Sequence, residues 1–221
     1  MGKKQSKTMD NEPSKKQKEM RRQPNSSGSP MIVFVGGNMV GCSSILRRYT
    51  LGVFYKEYRP EPGSIRHTKD IVHPHYGCYM TIQFFDVMGG DTRAGLKLSL
   101  LAHAVVVVYD ITKRTSFEEA QRYLENINPR ASVLLIGNKS DCKNDRKVSF
   151  KEGKLLAKIH RVEFIETSAK YNVNIDESLN LLIMCVPDEY LFSPSKLKKL
   201  HSLSEINTDS VVDEGDWRSG P

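Results

Sequence analysis

The sequence has few cysteines, and they lie far apart. Its 221 residues include four, at Cys42, Cys78, Cys142 and Cys185, with no C-x-x-C pair. Metal sites built from cysteine need closely spaced thiolates, so the spacing excludes such a site. Disulfide frameworks belong mainly to small secreted domains, which this chain does not resemble in size. The cysteine content therefore predicts a protein of a reducing, cytosolic compartment.

Long hydrophobic runs are also missing. No apolar run approaches the roughly 18 residues of a membrane-spanning helix, and no apolar segment near residue 1 resembles a secretory signal. Hydrophobic residues make up 38% and charged residues 27% of the chain, the balance of a soluble protein. A core of about 150 to 160 residues would bury enough apolar surface to fold alone. We therefore predict one soluble domain with tails.

Charge is spread unevenly along the chain. Residues 1–30 carry eight Lys or Arg and three acids, residues 31–186 carry 21 and 16, and residues 187–221 carry four and seven. The first segment has almost no aliphatic residues and cannot bury enough surface to become ordered. We predict a disordered basic arm over residues 1–30, a domain over residues 31–187 and a mostly disordered tail over residues 188–221.

The first six residues, MGKKQS, match the M-G-x-x-x-[ST] pattern for myristoylation of Gly2 after Met1 is removed. One acyl chain binds a membrane only marginally, so a second signal is needed. The basic residues of the arm can supply it through attraction to an anionic leaflet. No cysteine near residue 221 offers a prenylation site. An acylated protein on the cytosolic face of a membrane is one expectation, and a merely solvated arm is the alternative.

A glycine loop follows the first apolar segment of the domain. Residues 31–35 predict a buried strand, and residues 36–44 read GGNMVGCSS. From Gly36 through Gly41 to Ser43 they follow the phosphate-loop pattern G-x-x-x-x-G-K-[ST]. Backbone N–H groups of such a loop bind phosphate, with a helix N-terminus behind them. One position departs from the pattern, because Cys42 stands where the pattern has lysine.

The rest of the domain alternates strands and helices. Apolar runs predict strands over residues 70–75, 79–86, 104–109, 132–137 and 162–165, the first two forming a hairpin. Helices are predicted over residues 43–51, 92–101, 149–160 and 174–185, and another beginning at Ser116 in a capping box with Glu119. Residues 53–69 are predicted as loop. The fold class is therefore α/β, with a mostly parallel six-stranded sheet and helices on both faces.

Three polar motifs follow predicted strands. They are D-x-x-G at residues 86–89, N-K-x-D at residues 138–141 and T-S-A-K at residues 167–170. Ligands of open α/β sheets bind at the carboxyl ends of the strands, where these motifs meet. Together with the glycine loop, the motifs resemble the Ras superfamily of small GTPases, near its Ras and Rab branches. The resemblance covers residue 31 to about residue 186 and implies a single P-loop GTPase domain.

The resemblance implies recognition of guanine. Asp141 would accept two hydrogen bonds, from N1–H and the exocyclic amine, which adenine cannot offer. Asn138 would tie the surrounding loops together, and the stem of Lys139 would pack on the ring. The backbone N–H of Ala169 would meet the guanine O6, and Phe54 would stack on the opposite side of the base.

On the phosphate side the resemblance implies a Mg²⁺ site. Ser43 would contribute its hydroxyl, Asp86 would hold the ion through water, and the Gly89 amide would contact a γ-phosphate. The expected nucleotide-binding residues are Gly36, Gly37, Asn38, Met39, Val40, Gly41, Cys42, Ser43, Ser44, Phe54, Gly89, Asn138, Lys139, Asp141, Ser168, Ala169 and Lys170. Expected cofactors are GTP or GDP and Mg²⁺. Expected partners are effector or regulator proteins at the switch segments and a membrane surface, with no nucleic acid.

The catalytic half of the pattern is altered. Cys42 occupies the position of the family's lysine, which binds the β/γ-phosphates. Its neutral thiol should lower the affinity for nucleotide by two to three decades, or roughly a few kcal/mol. The switch I threonine that ligates Mg²⁺ aligns with Glu61, and the glutamine that orients water aligns with Gly90. No catalytic residue is therefore predicted. We expect GTP hydrolysis to be very slow or absent.

Several alternatives remain open from the sequence. The chain is either a nucleotide-binding switch in signalling or vesicle trafficking, or a pseudo-GTPase that serves as a nucleotide-independent interaction module. An ATP-using P-loop kinase is disfavoured because the two later motifs select guanine. Arg59, Arg66 and Arg93 are either replacement cations or solvated loop residues. Cys42 is either a passive replacement or a redox-sensitive thiol whose pKa is lowered by the helix N-terminus.

Overall fold

The computed structural model describes residues 29–57, 65–87, 92–128 and 130–192. The predictions for the arm up to residue 28, the tail beyond Phe192 and several single residues lie outside the described residues. Those single residues are Gly2, Arg59, Glu61, Gly89 and Gly90.

Six strands form the sheet. They are β1 (Met31–Gly36), β2 (Ile65–Val72), β3 (Tyr79–Asp86), β4 (Ala104–Asp110), β5 (Ser132–Asn138) and β6 (Glu163–Glu166). The spatial order is β2-β3-β1-β4-β5-β6. Only β2 and β3 pair antiparallel, and all other neighbours are parallel. The predicted α/β class with a mostly parallel six-stranded sheet is confirmed.

Helices cover both faces of the sheet. They are α1 (Cys42–Leu51), α2 (Thr92–Ser99), α3 (Arg114–Asn126), α4 (Phe150–His160), α5 (Ile175–Cys185) and α6 (Asp188–Leu191). Helices α1 and α5 cover the hydrophobic core around Phe34 and Phe84 on one face. Helices α2, α3 and α4 cover the core around Val107 and Tyr109 on the other. None of the described helices is long and apolar enough to cross a membrane.

The two central strands bring the sequence motifs to one edge. Strands β1 and β4 are buried at every residue, which explains their continuous apolar sequences MIVFVG and AVVVVYD. Phe34 pairs with Asp86, and Asp110 pairs with Asn138. The carboxyl ends of β1, β3, β4 and β5 therefore lie side by side.

Strand β2 differs from its prediction. Residues up to 69 were expected as loop and residues 70–75 as strand, but β2 begins at Ile65 and ends at Val72. Its sequence, IRHTKDIV, is mostly polar because β2 is the edge strand of the sheet. Its order comes from pairing all eight residues with β3, a non-local interaction that its own hydrophobic pattern does not reveal.

The predicted capping box at Ser116 is wrong. Helix α3 begins at Arg114, with Lys113 as its N-cap residue. Ser116 lies inside the first turn and is buried, where its Oγ donates to the Lys113 carbonyl over 2.6 Å and accepts from the Asp110 N–H over 3.0 Å. Its hydroxyl thus joins β4 to α3. The capping box between Ser149 and Glu152 at the start of α4 is confirmed.

The packed part of the chain extends beyond the predicted boundary at residue 187. Leu191 and Phe192 are buried against the turn of the β2–β3 hairpin. The Tyr76 hydroxyl donates to Asp188, and the rings of Tyr76 and Phe192 meet edge to face with centroids 5.6 Å apart. The contacting residues are more than 100 positions apart in sequence, so local patterns do not reveal the contact.

Replacing Gly153 with alanine is expected to destabilise the fold. Alanine favours a helix over glycine by about 1 kcal/mol. At this position, however, an added Cβ would lie 2.4 Å from Tyr109 Oη and 2.5 Å from Phe164 Cζ. Overpacking of a buried contact costs about 1–3 kcal/mol, so we expect a net loss in the free energy of unfolding measured in urea. The control Lys154→Ala, at an exposed position of the same helix, should change stability by under about 0.5 kcal/mol. A stabilised Gly153→Ala protein would contradict this packing.

Candidate functional site

A cleft of about 300 Å³ opens at the carboxyl edge of the sheet. Residues 36–44 of the glycine loop form its floor, and residues 53–57 line one wall. The remaining wall is formed by residues 138–142 except 140, together with residues 169 and 170. Asp86, the last residue of β3, and Val87, which follows it, also line the cleft. A volume of this size lies at the lower end of the usual range for small-molecule sites, roughly 300 to 1,000 Å³.

The glycine loop is held in shape by close packing at two positions. Gly41 has a φ of 102° and precedes α1, a left-handed conformation that favours glycine. An added Cβ at Gly41 would lie 2.3 Å from Asn138 Nδ2, and one at Gly36 would lie 2.5 Å from the Val108 carbonyl oxygen. The loop therefore lies directly on β4 and on the end of β5. Its backbone N–H groups stand at the N-terminus of α1, as anion binding requires.

Asn138 joins the two sides of the cleft. Its side chain is 2% exposed, and Nδ2 donates to the Val40 carbonyl over 2.9 Å. Oδ1 accepts from Thr167 Oγ1 over 3.2 Å and from the Ala169 N–H over 3.4 Å. One buried amide thus connects the glycine loop to the loop after β6. Loss of either contact would leave buried polar groups without hydrogen bonds.

Asp141 is oriented by a buried serine. Ser168 is 1% exposed and donates its hydroxyl to Asp141 Oδ1 over 2.6 Å. Ser168 is itself held by paired backbone hydrogen bonds with Val173. Asp141 lines the cleft, whereas Ser168, which holds its carboxylate, does not. This arrangement fixes a hydrogen-bond acceptor at the wall of the cleft.

Lys139 lies across the glycine loop. Its ammonium group donates to the Met39 carbonyl over 3.0 Å and forms an ion pair with Asp110 Oδ2 at 2.6 Å. Asp110 is in turn held by Thr112, whose N–H and hydroxyl both donate to Oδ1. The charge of Lys139 is therefore neutralised locally. Its aliphatic stem remains as part of the cleft wall.

Arg48 is a structural residue that the sequence analysis missed. Its guanidinium donates to the carbonyls of Gly52, Ala169 and Lys170 over 2.8, 3.0 and 3.1 Å. It also lies 5.8 Å from the ring centroid of Phe54. Arg48 thus connects α1 to the walls on both sides of the cleft. Its position in the last turn before a glycine, where basic residues often bind free carbonyls, is the signal that was available.

Of the two alternatives for Cys42, the redox-sensitive thiol with a lowered pKa is wrong. The side chain is only 9% exposed and packs in the core beneath the loop. Burial raises the pKa of the Cys42 thiol well above its ordinary value, and the negative charge of Asp86 raises it further. A backbone hydrogen bond lowers the pKa but does not compensate. Desolvation thus outweighs the helix N-terminus, and Cys42 is a neutral thiol at pH 7.

Cys42 is accordingly expected to resist alkylation and mild peroxide. In the native protein at pH 7, iodoacetamide should label Cys42 at least about tenfold more slowly than the exposed Cys185, because the thiolate is the reactive form. Peptide mass spectrometry over a time course measures both rates. Unfolding in urea should bring the two rates together. Labelling of Cys42 as fast as that of Cys185 in the native protein would contradict the burial described above.

The oxygen atoms in the cleft fit a magnesium ion. Ser43 and Asp86 both line the cleft, and Asp86 is 1% exposed. Magnesium prefers oxygen ligands and is commonly held by one or two protein groups together with phosphate oxygens and water. The described residues contain no group of three or more His, Cys, Asp or Glu suited to a metal. The donor set therefore fits an ion that a phosphate ligand would complete.

The structure brings most of the predicted residues together. Every described member of the predicted set lines the cleft except Ser168, which donates to Asp141. Arg66 and Arg93, considered as replacement cations, do not line it. Two other cations do, Arg47 and Lys56, and the sequence analysis missed both. Helical spacing was a usable signal for Arg47, which lies four residues after Ser43 on the same face of α1.

Comparisons with known proteins agree with this architecture. The sequence profile of the Ras family matches residues 31–187. Ras-related protein RabC of Dictyostelium discoideum is 32% identical over 187 residues, which cover 82% of this chain and 92% of that protein. Ras-related protein RABA6a of Arabidopsis thaliana is 32% identical over 158 residues, covering 68% of this chain and 66% of that protein. Ras-like protein 1 of Saccharomyces cerevisiae is 29% identical over 188 residues, covering 82% and 60%. The chain belongs to the Ras family of small GTPases.

Proposed function

We propose that the cleft binds GTP and GDP together with Mg²⁺, and that the protein acts as a membrane-associated switch in signalling or vesicle trafficking. The observation that carries the proposal is the orientation of Asp141 by Ser168 at the cleft wall. A fixed carboxylate accepts hydrogen bonds from two adjacent donors of guanine, and adenine lacks that pair. Effector or regulator proteins would contact the switch segments.

The phosphate end of the cleft is suited to binding an anion. It carries less positive charge, however, than a phosphate loop with the family's lysine. The glycine loop and the N-terminus of α1 supply backbone donors, and Ser43 and Asp86 would hold the magnesium ion, which offsets phosphate charge when bound. Arg47, Lys56 and Lys170 are cations that also line the cleft. Cys42 is neutral and adds no charge.

Hydrolysis is proposed to be very slow or absent. Cys42 cannot place a positive charge beside the phosphates, because its thiol is neutral and a neutral thiol is a weak donor. Position 90, outside the described residues, is glycine in the sequence and has no side chain to orient water. Binding would therefore be separated from turnover, and exchange of nucleotide would change the state of the switch.

A second function, a pseudo-GTPase that binds partners without nucleotide, is favoured by one observation. The buried thiol of Cys42 lies in the field of the Asp86 carboxylate, so the phosphate end has gained a net negative character relative to a loop with lysine. Anion binding is weaker in such a site. Under this alternative the cleft would be a structural remnant of the family.

Nucleotide titration separates the two functions. Protein purified without added nucleotide is denatured, and any released base is identified by chromatography. GDP, GTP and ATP are then titrated with and without Mg²⁺. The proposal expects guanine nucleotides to bind below about 100 μM, more tightly with Mg²⁺, and ATP not to bind. Absence of guanine-nucleotide binding at that concentration would establish the pseudo-GTPase.

A further inference from the structure

The outer face of α4 combines lysines with exposed aliphatic side chains. Helix α4 buries Gly153, Leu156 and Ala157 against the sheet. On the opposite side, Leu155 is 58% exposed and Ile159 is 65% exposed. The residues of this outer face, hereafter the α4 face, are Lys151, Lys154, Leu155, Lys158 and Ile159. Their spacings of three and four place them side by side along the helix.

The lysines of the α4 face have no acidic partner among the described residues. None of their ammonium groups forms an ion pair in the described part of the chain. The one acid on α4, Glu152, is held by Arg114 and by the N–H and hydroxyl of Ser149. Exposed Lys147 and Arg161 extend the positive charge beyond both ends of the helix. The face is therefore uniformly basic.

A bilayer with anionic lipids matches this combination of side chains. Single exposed aliphatic residues are common on protein surfaces, and single lysines are common as well. Here two aliphatic residues one turn apart border a row of three lysines. Anionic headgroups attract the lysines, and the adjoining acyl boundary accepts Leu155 and Ile159. An acidic protein surface would match the lysines but would not require the aliphatic pair.

The position of the α4 face agrees with membrane contact. Arg161, after the end of α4, lies two residues before β6, and Pro30 immediately precedes β1. Strands β1 and β6 run in the same direction, so both residues lie at the amino edge of the sheet. The chain thus enters the domain at Pro30, at the edge where α4 ends. The cleft lies at the opposite edge and would stay accessible.

We propose that the α4 face docks on an anionic lipid bilayer, independently of acylation at Gly2 and of nucleotide. The contact adds a surface of the folded domain to any attraction of the basic arm. It goes beyond the function proposed above and does not depend on it. A contact through one face of a rigid helix would fix the orientation of the domain on the membrane.

Vesicle sedimentation of the full chain tests the proposal. The protein is made in bacteria so that Gly2 carries no acyl chain. Vesicles contain phosphatidylcholine alone or with about 30% phosphatidylserine, in about 0.1 M NaCl. We expect binding only to the anionic vesicles. The triple variant Lys151→Glu, Lys154→Glu, Lys158→Glu should lower the partition coefficient at least about tenfold, and the double variant Leu155→Ser, Ile159→Ser at least about threefold.

A charge-matched control distinguishes the α4 face from net charge. The variant Lys97→Glu, Lys113→Glu, Lys143→Glu changes three exposed lysines elsewhere and should stay within about threefold of the unmodified protein. Equal losses in the two triple variants, or no loss in the α4 variant, would overturn the proposal and leave the arm as the basic signal. Unchanged vesicle binding by the Leu155→Ser, Ile159→Ser protein would overturn docking through the whole α4 face, because attraction by the lysines alone would then account for the binding. Thermal unfolding verifies that each variant is folded.

Discussion

Replacing Cys42 with lysine is expected to raise the affinity for GDP and GTP by about two decades. The new ammonium would lie at the N-terminus of α1, beside the phosphate end of the cleft and within the field of the buried Asp86. Asp86 would favour the charged form of the lysine, and a charge-assisted contact to phosphate is worth roughly 1.5–3 kcal/mol. Isothermal titration with GDP and GTP measures the gain.

Two controls make the Cys42→Lys result specific. Guanosine has no phosphate, so its affinity should not change. Cys42→Ser is similar in size and neutral, and should bind GDP within about threefold of the unmodified protein. A rise in guanosine affinity, or an equal rise with serine, would show that the substitution acts through loop packing instead. No rise for any nucleotide would show that the loop does not present position 42 to the phosphates. Turnover should remain slow, because position 90 is still glycine.

Replacing Asp141 with asparagine is expected to lower guanine-nucleotide affinity by at least about 100-fold. An amide can accept only at its oxygen, so it cannot satisfy both adjacent donors of guanine. The fold should persist, because the asparagine oxygen can still accept from Ser168, as Asp141 Oδ1 does now. Titration with GDP and thermal unfolding together measure the two expectations.

The Asp141→Asn variant should also gain affinity for a xanthine nucleotide, which a merely damaged site would not do. Xanthine carries an oxygen where guanine carries the exocyclic amine, and the asparagine NH₂ can donate to that oxygen. We expect XDP to bind the variant more tightly than GDP does, the reverse of the unmodified protein. Asp145→Asn, an exposed acid in the following 3₁₀ turn, is the matched control and should leave both affinities unchanged. Equal loss of GDP and XDP binding would contradict the assigned role of Asp141.

The base side and the phosphate side of the cleft differ in how closely their residues match the family pattern. On the base side, Asn138 bonds to the glycine loop and to the loop after β6, and Ser168 separately orients Asp141. Asn138 and Ser168 are nearly fully buried. On the phosphate side, the buried cysteine contributes neither charge nor a reactive thiolate. The titrations above measure each side separately, because guanosine reports the base side and GDP reports both.

The sequence by itself determined the fold class and most of the cleft. Continuous apolar runs such as residues 104–109 indicate strands buried on both faces, and polar motifs directly after such strands must meet at the carboxyl edge of a parallel sheet. This is why Asn138, Asp141 and Ala169 were predicted as neighbours although 31 positions separate the first from the last. The capping box at Ser149 was equally visible, since its partners are three residues apart.

Only the tertiary structure decided the features that depend on contacts distant in sequence. Strand β2 owes its length to pairing with β3, and Phe192 is buried through its contact with the hairpin turn. The raised pKa of Cys42 arises from burial and from Asp86, which lies on another strand. Local spacing indicated a helix N-terminus at Cys42, but the degree of burial depends on how the whole chain packs. That burial decided the chemistry of the thiol, because desolvation outweighs the backbone contribution at this position.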